Sequence, residues 1–365
     1  MELIELLQGA VDQQASDIFI LSSLPLSYKL NGVIIPQEEE KVTPQSARAI
    51  IEEIYDTAGR PMDRLLKSGD DDFSLAISGL SRFRVSTYKQ RGSLAAVIRL
   101  VSFDIPNYKD LSIPESVMSV ADKTKGLVLV TGPAGGGKST TLACIIDRIN
   151  NTRNGHIITL EEPLEYLHRN NKCVISQREI GVDTLSYANA LRAALRQDPD
   201  VLLVGEIRDL ETMQIALTAA DTGHMVFATI HTTNATETIQ RVLSMYPPHQ
   251  HDEIRILLSE VLAGIISLRL LPTADGAGRV PAAEVLVNTA AIKEYIRDKD
   301  KLDMVEHAIA EGHMQYRSQT FDQALLELYR DGRITIETAM NAATNKDDFD
   351  LKIRGISGTS DRGWM

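Results

Sequence analysis

Two kinds of hydrophobic pattern follow one another along the chain. In the first hundred residues, apolar positions at helical spacing over 2–14 and 44–67 predict two helices. Helices interspersed with neighbouring strands are typical of a small α+β domain built on an antiparallel sheet. The strand-like runs of this part lie at residues 18–21, 26–30, 73–77, 82–88 and 94–100.

From residue 121 onward the strands become near-continuous apolar runs that alternate with helical segments. The runs lie at residues 127–130, 156–160, 201–204 and 225–230. Such strands are typical of a parallel sheet that helices cover on both faces, and they predict an α/β fold. The stretch 257–271 contains Glu260 and Arg269 and falls short of the roughly 18 apolar residues of a membrane span, so it predicts a packed helix.

Changes in pattern and composition divide the chain into five predicted parts. The short polar stretch between Pro106 and Pro114 has the composition of an interdomain connection. The last 75 residues read as several helices, and a flexible end is expected after Gly355. The predicted parts are an N-terminal domain over 1–102, a linker over 103–120, an α/β core over 121–290, a C-terminal helical region over 291–354 and a flexible tail over 355–365.

Charge and cysteine content narrow the classes of function. The 365 residues carry 38 Lys and Arg against 50 Asp and Glu, a net charge of −12, which excludes a chain-wide basic field for nucleic acid. The two cysteines are too few for a disulfide scaffold and fit a reducing compartment. The acidic N-terminal segment is unlike a secretory signal, so a cytoplasmic location is expected.

One segment predicts a phosphate-binding site. Residues 132–139 satisfy the phosphate-loop pattern between a predicted strand and a predicted helix, so backbone N–H groups would surround the phosphates of ATP. Lys138 is expected to reach the terminal phosphates and the Ser139 hydroxyl to ligate Mg²⁺. The predicted nucleotide-binding residues are Gly132, Pro133, Ala134, Gly135, Gly136, Gly137, Lys138, Ser139 and Thr140.

Acidic and polar residues follow the other predicted strands of the core. Glu206 ends an apolar strand, where a carboxylate could lie beside Mg²⁺ or merely cap a loop. Glu161 and Glu162 end another strand and could supply the base that activates water, or form a solvated acidic turn. His231 follows the strand over 225–230 and could detect a γ-phosphate or cap the strand; a metal role is disfavoured.

Four arginines have candidate partners. Arg84 and Arg99 lie within strand-like runs of the first domain and need an anion, either a γ-phosphate from a neighbouring subunit or an internal carboxylate such as Asp71 or Asp72. Arg192 and Arg196 share one helical face, where solvated pairing with nearby acids is favoured.

Together these segments resemble the secretion-ATPase family, and within it the PilT-type retraction ATPases of type IV pili. The resemblance covers residues 1 to about 345 and includes the phosphate loop, an aspartate box over 158–165, a Walker B motif over 204–209 and a histidine box over 223–234. It implies a PAS-like N-terminal domain, a RecA-like ATPase domain, and a homohexamer that hydrolyses Mg-ATP to retract pili.

The resemblance also implies roles and partners. Glu161 would be the water-activating base, Glu206 would support Mg²⁺ and the water, and His231 would lie near the γ-phosphate. Arg84 and Arg99 would contact the nucleotide phosphates. The implied partners are an inner-membrane pilus platform protein and a second pilus ATPase, with the chain at the inner face of the cytoplasmic membrane.

Departures from the family pattern keep alternatives open. Glu162 stands where the family usually has Asp, Ala134 and Gly136 replace the more usual Thr and Ser, and the stretch 292–297 departs from the usual retraction motif. Pilus-extension and type II secretion ATPases are the nearest alternatives. A RecA-like nucleic-acid motor and a non-hydrolysing regulatory subunit are alternatives of other classes.

Overall fold

The computed structural model describes residues 3–30, 32–101 and 104–354. The chain divides into two compact units, the first comprising Met1–Asp104 with Pro163–Leu167 and the second Ile105–Glu162 with His168–Met365. The predicted tail over 355–365 lies outside the described residues. The boundaries of the five predicted parts stay a prediction.

The first unit is an antiparallel sheet with helices. In the described residues the sheet has the strand order β3-β2-β1-β6-β5-β4, with every pair antiparallel. Its helices are α1 (Leu3–Asp12), α2 (Pro44–Thr57) and α3 (Asp63–Ser68). Its strands are β1 (Asp17–Ile20), β2 (Pro25–Leu30), β3 (Val33–Lys41), β4 (Asp70–Ile77), β5 (Ser81–Gln90) and β6 (Ser93–Val101).

In this unit one sequence prediction is wrong and one strand was missed. The single helix predicted over 44–67 is two helices, because Gly59, with φ of 62°, and Pro61 interrupt it. Strand β3 was not predicted. It lies at the edge of the sheet, exposed along nearly its whole length, and therefore lacks an apolar alternation.

The second unit is built on a largely parallel sheet. Its strands are β7 (Gly126–Thr131), β8 (Gly155–Glu161), β9 (Cys173–Glu179), β10 (Val201–Val204), β11 (Met225–Ile230), β12 (Leu262–Pro272) and β13 (Arg279–Val287). Its helices are α4 (Glu115–Met118), α5 (Lys138–Thr152), α6 (Tyr187–Ala194), α7 (Leu210–Asp221), α8 (Ala235–Ser244), α9 (His251–Val261), α10 (Ala290–Arg297), α11 (Met304–Glu311), α12 (His313–Tyr316), α13 (Phe321–Arg330), α14 (Ile336–Ala342) and α15 (Lys346–Ile353).

The strand order of this sheet is β13-β12-β7-β11-β10-β8-β9. The pairs from β12 to β9 are parallel, and β13 pairs antiparallel with β12. The four predicted core strands are confirmed as β7, β8, β10 and β11, and every residue of β7, β10 and β11 is buried. The sequence prediction of a mixed α/β fold with a parallel sheet is therefore confirmed.

The prediction of a packed helix over 257–271 is confirmed for 257–261 and wrong from Leu262 onward. Helix α9 ends at Val261 and the chain passes directly into β12 at Leu262, which adopts an extended conformation with φ of −61° and ψ of 123°. Neither glycine nor proline separates the two elements, so the apolar run carries no signal of the change. Among the described helices, none has the length and apolar character to cross a membrane.

Candidate active site

Four segments predicted to carry chemistry meet at one edge of the parallel sheet. Strands β7, β11, β10 and β8 are consecutive neighbours in parallel register, so their carboxyl ends lie side by side. The phosphate loop follows β7, and His231 follows β11. Glu206 follows β10 after one glycine, and Glu161 is the last residue of β8. This edge is where open α/β sheets bind ligands.

Three glycines shape the phosphate loop. Gly132, Gly135 and Gly137 have φ of 140°, 70° and 91°, a region that favours glycine. A Cβ on Gly132 would lie 2.4 Å from the carbonyl oxygen of Leu268 in β12, so the loop leaves β7 in direct contact with the neighbouring strand. The residues Pro133, Ala134 and Gly135 are exposed, whereas Gly136 is buried.

Helix α5 begins at Lys138, immediately after the loop. Ser139 and Thr140 lie half-buried in its first turn, where backbone N–H groups have no partner within the helix and the positive end of the helix dipole favours an anion. The Lys138 ammonium is buried and donates to the carbonyl oxygens of Gly132 and Pro133, both at 2.9 Å. The loop is therefore followed directly by a buried ammonium group and the N-terminal end of a helix, both of which favour an anion.

Charged groups form a chain across the strand ends. Nδ1 of His231 lies 3.5 Å from the Lys138 ammonium, and its Nε2 lies 3.2 Å from Oε1 of Glu206. The other carboxylate oxygen of Glu206 lies 2.7 Å from Arg208, whose guanidinium is 3.9 Å from Glu162. The hydrogen bond from Arg208 is the main cause that lowers the pKa of Glu206, and His231 adds to it. Glu206 is thus held as a carboxylate between the Arg208 guanidinium and the His231 ring.

The loops after β8 and β10 approach each other closely. The Gly205 N–H donates to the carbonyl oxygen of Leu160 at 2.7 Å, and a Cβ on Gly205 would lie 3.1 Å from Cα of Glu161. Glycine at 205 therefore lets the two acidic segments lie side by side. The role of Glu161 as a base stays a prediction.

Arg84 and Arg99 belong to the first unit and lie directly opposite each other on β5 and β6. Paired residues of an antiparallel sheet share a face, and like charges there are destabilising unless an anion compensates them. Both side chains are exposed. Nε of Arg99 donates to Asp17 at 2.8 Å, so one arginine of the pair already has an internal anion and also remains accessible to solvent.

The internal partner of Arg99 differs from the one considered in the sequence. Neither Asp71 nor Asp72 pairs with it, because its carboxylate is Asp17, which is 4% exposed. Asp71 is buried and accepts a hydrogen bond from the Tyr55 hydroxyl at 2.9 Å. In the second unit, Arg192 forms the predicted solvated pair, with Glu211.

The comparisons with known proteins decide the family. The family model described as "Type II/IV secretion system protein" matches residues 2–346. The chain belongs to the type II/IV secretion system protein family.

Relatives within this secretion family are similar over nearly the whole chain. The type IV pilus retraction ATPase PilT of Pseudomonas aeruginosa is 40% identical over 96% of this chain and 100% of its own. The type IV pilus ATPase PilU of the same organism is 36% identical over 97% of this chain and 92% of its own. The crystal structure of the pilus retraction motor PilT with bound ADP superposes with a TM-score of 0.85 at 42% identity, covering 95% of this chain and 98% of that one.

Sequence reasoning missed two residues of the site in this secretion-family chain. Arg208 stands within the Walker B segment, two residues after Glu206, and the only available signal was that proximity. Tyr187 begins α6, and its hydroxyl is within 3.1 Å of the position a Gly205 Cβ would take. Burial, followed by the charge of Glu162, raises the pKa of Tyr187 well above its usual range. The phenol is therefore a neutral hydrogen-bonding group among acids.

The donor set at the strand ends suits a polyphosphate with Mg²⁺. The hydroxyl of Ser139 and the carboxylate of Glu206 are hard oxygen ligands of the kind that Mg²⁺ prefers. Across the described residues, no cluster of three or more His, Cys, Asp or Glu side chains could hold a metal by itself. A cation here would therefore rely on substrate phosphates and water for its other ligands, as is usual for Mg²⁺ at phosphate sites.

Proposed function

We propose that this chain is a motor ATPase that hydrolyses Mg-ATP to drive retraction of type IV pili, the depolymerisation that underlies twitching motility. The observation that carries the proposal is the convergence of Lys138, His231 and Glu206 at one sheet edge, linked by distances of 3.5 and 3.2 Å. Family membership and the 40% identity to a pilus retraction ATPase support it.

Each site residue has a proposed part in hydrolysis. Lys138 and the backbone N–H groups of the loop bind and orient the terminal phosphates, which neutralises charge where it develops. Ser139 and Glu206 would hold Mg²⁺, which when bound would supply Lewis-acid stabilisation of the phosphoryl oxygens. Glu161 accepts the proton of the attacking water. His231 lies near the γ-phosphate and detects its presence.

We also propose the assembly that the resemblance implies. The chain acts as a homohexamer at the inner face of the cytoplasmic membrane, on an inner-membrane pilus platform protein and beside a second pilus ATPase, without nucleic acid. The parallel sheet with its phosphate loop supports a RecA-like core over 121–290, and the antiparallel sheet with helices supports a PAS-like domain over 1–102. The remaining predicted parts, at 103–120 and 291–354, are proposed as linker and C-terminal helical region.

Arg99→Ala is expected to lower kcat for ATP at least about 10-fold, since an arginine that neutralises transferring phosphate is worth more than that. Lys29→Ala is the matched control, because Lys29 lies 4.0 Å from the same Asp17 carboxylate. Steady-state phosphate release by the assembled protein measures both. Equal losses in the two variants would mean that Arg99 serves only to balance Asp17.

Deletion of the gene in its own host tests the direction of the motor. Retraction predicts excess surface pili that do not shorten, with loss of twitching, and complementation with the wild-type gene should restore both. Absent pili would favour an extension ATPase instead. Pili that still retract would fit a PilU-like accessory role, which the 36% identity to PilU makes the second candidate.

A further inference from the structure

A carboxylate is buried on β13, two strands away from the strand that leads into the phosphate loop, and no step proposed above uses it. Glu284 lies in β13 and is 5% exposed. Its Oε1 accepts a hydrogen bond from the backbone N–H of Ala235 at 2.6 Å and one from the Ser267 hydroxyl at 3.1 Å. Buried polar groups are costly unless they are hydrogen-bonded, so both bonds are structurally significant.

Glu284 lies at the level of the sheet where both phosphate-site loops begin. It is opposite Ser267 on β12, which is opposite Thr131 on β7, which is opposite Ile230 on β11. Residues in such a row point to one face of the sheet. Thr131 is the last residue before the phosphate loop, and Ile230 is the last before the loop 231–234. One row of side chains therefore links Glu284 to both loops.

The hydrogen bond from the Ala235 N–H to Glu284 lies at the far end of the loop 231–234. Ala235 is the first residue of α8, where the helix dipole favours a negative group. The loop is itself fastened to this helix, because the Thr232 hydroxyl lies 2.7 Å from that of Thr238 and the Thr233 N–H donates to Glu237 at 2.8 Å. Fixing the start of α8 consequently fixes the loop that carries His231.

We propose that Glu284 is a positioning residue for the site: it holds the first turn of α8 against Ser267 and so keeps His231 between Lys138 and Glu206. The inference rests on the proposed ATPase function, since it concerns that same site. Glu284 accepts its hydrogen bonds from Ala235 and Ser267, so we assign it no contact with substrate. It acts through the loop 231–234.

The charges around Glu284 explain why its acceptor oxygen matters more than its negative charge. Burial raises the pKa of Glu284 to about 7, which the bonds from Ala235 and Ser267 partly offset. Glu306 on α11 raises this pKa further, and Arg269 on β12 lowers it. Because Oε1 accepts both hydrogen bonds, a side chain that keeps an oxygen at that position can make them without a negative charge. An amide oxygen would serve equally.

Kinetics of three variants test the inference. Glu284→Ala should lower kcat for ATP about 10-fold while the KM changes less than about threefold. The reason is that the position of the loop 231–234 affects the chemical step, whereas the phosphate loop, which binds ATP, is unchanged. Glu284→Gln keeps an acceptor and should retain kcat within about twofold. Asp322→Ala is the control, since Asp322 is 9% exposed and accepts from the backbone N–H of Thr344, before α15. It should keep kcat at a temperature where the variant is folded.

Hydrogen exchange without nucleotide gives a readout that does not depend on ATP turnover. Glu284→Ala should speed exchange of the 231–237 amides at least about 10-fold, and Asp322→Ala should not. If Glu284→Ala does not fold, Ser267→Ala should give a smaller change of the same kind. Unchanged exchange, or faster exchange with unchanged kcat, overturns the inference. A wild-type chain that hydrolyses no ATP overturns the proposed function instead, while exchange still decides whether Glu284 orders the loop.

Discussion

Glu206→Gln is expected to reduce ATP turnover by at least about 100-fold while nucleotide binding persists. The substitution keeps the shape and one acceptor oxygen but removes the charge that Arg208 and His231 hold at 2.7 and 3.2 Å. Without that charge, the proposed Mg²⁺ site and the attacking water would lack a carboxylate anion. Phosphate release and binding of a fluorescent ATP analogue, both measured on the assembled protein, check the two halves of this expectation.

Glu211→Gln provides the matched control for Glu206→Gln. Glu211 is an exposed carboxylate in the first turn of α7, and it also pairs with an arginine, Arg192. Because an exposed ion pair contributes little, this variant should turn over ATP at the wild-type rate. Glu206→Gln that keeps more than a tenth of wild-type turnover would contradict the role assigned to Glu206.

Lys138→Ala is expected to abolish both ATP binding at ordinary concentrations and measurable turnover. Each charge-assisted hydrogen bond is worth about 1.5–3 kcal/mol, so losing two phosphate contacts weakens binding by roughly 10²–10⁴-fold. The ammonium also bridges the carbonyl oxygens of Gly132 and Pro133, and its loss loosens the start of the loop. Equilibrium binding of radiolabelled ATP and phosphate release measure the effect.

Lys125→Ala is the control for the lysine. Lys125 is an exposed lysine just before β7, at the opposite end of the strand that leads into the phosphate loop. It should bind and hydrolyse ATP as the wild-type chain does. Thermal unfolding of both variants separates a folding defect from lost phosphate contacts, and a folded Lys138→Ala variant with normal ATP affinity would refute the nucleotide site.

The parallel core could be predicted because its continuous apolar runs have one physical cause, the burial of the strands on both faces. Strands β7, β10 and β11 are buried on both faces, so nearly every position is apolar, and a glycine or a polar residue directly after each of them marks the strand end. The prediction failed where one apolar run covers both a helix and a strand. The run over 257–271 is apolar both in the last turns of α9 and in β12, and its pattern alone does not reveal the change.

Contacts between distant residues were not predictable from spacing. Arg99 and Asp17 are 82 residues apart and meet because β6 pairs with β1, a pairing that no local pattern specifies. The residues of the candidate site could be proposed individually, since each follows its own strand. Their mutual arrangement depends on strand order, which placed β11 between β7 and β10 and so placed His231 between Lys138 and Glu206.

The contact of Gly132 with Leu268 limits which parts of the nucleotide site can change shape. A Cβ at position 132 would lie 2.4 Å from the Leu268 carbonyl oxygen, so the loop already packs closely against β12, and a shift towards that strand would press backbone against backbone. If ATP hydrolysis drives movement as proposed, we expect the movement to begin in the segments that carry Glu206 and His231, which this contact does not hold. The phosphate loop would then keep its position relative to β12 while the other segments of the site move.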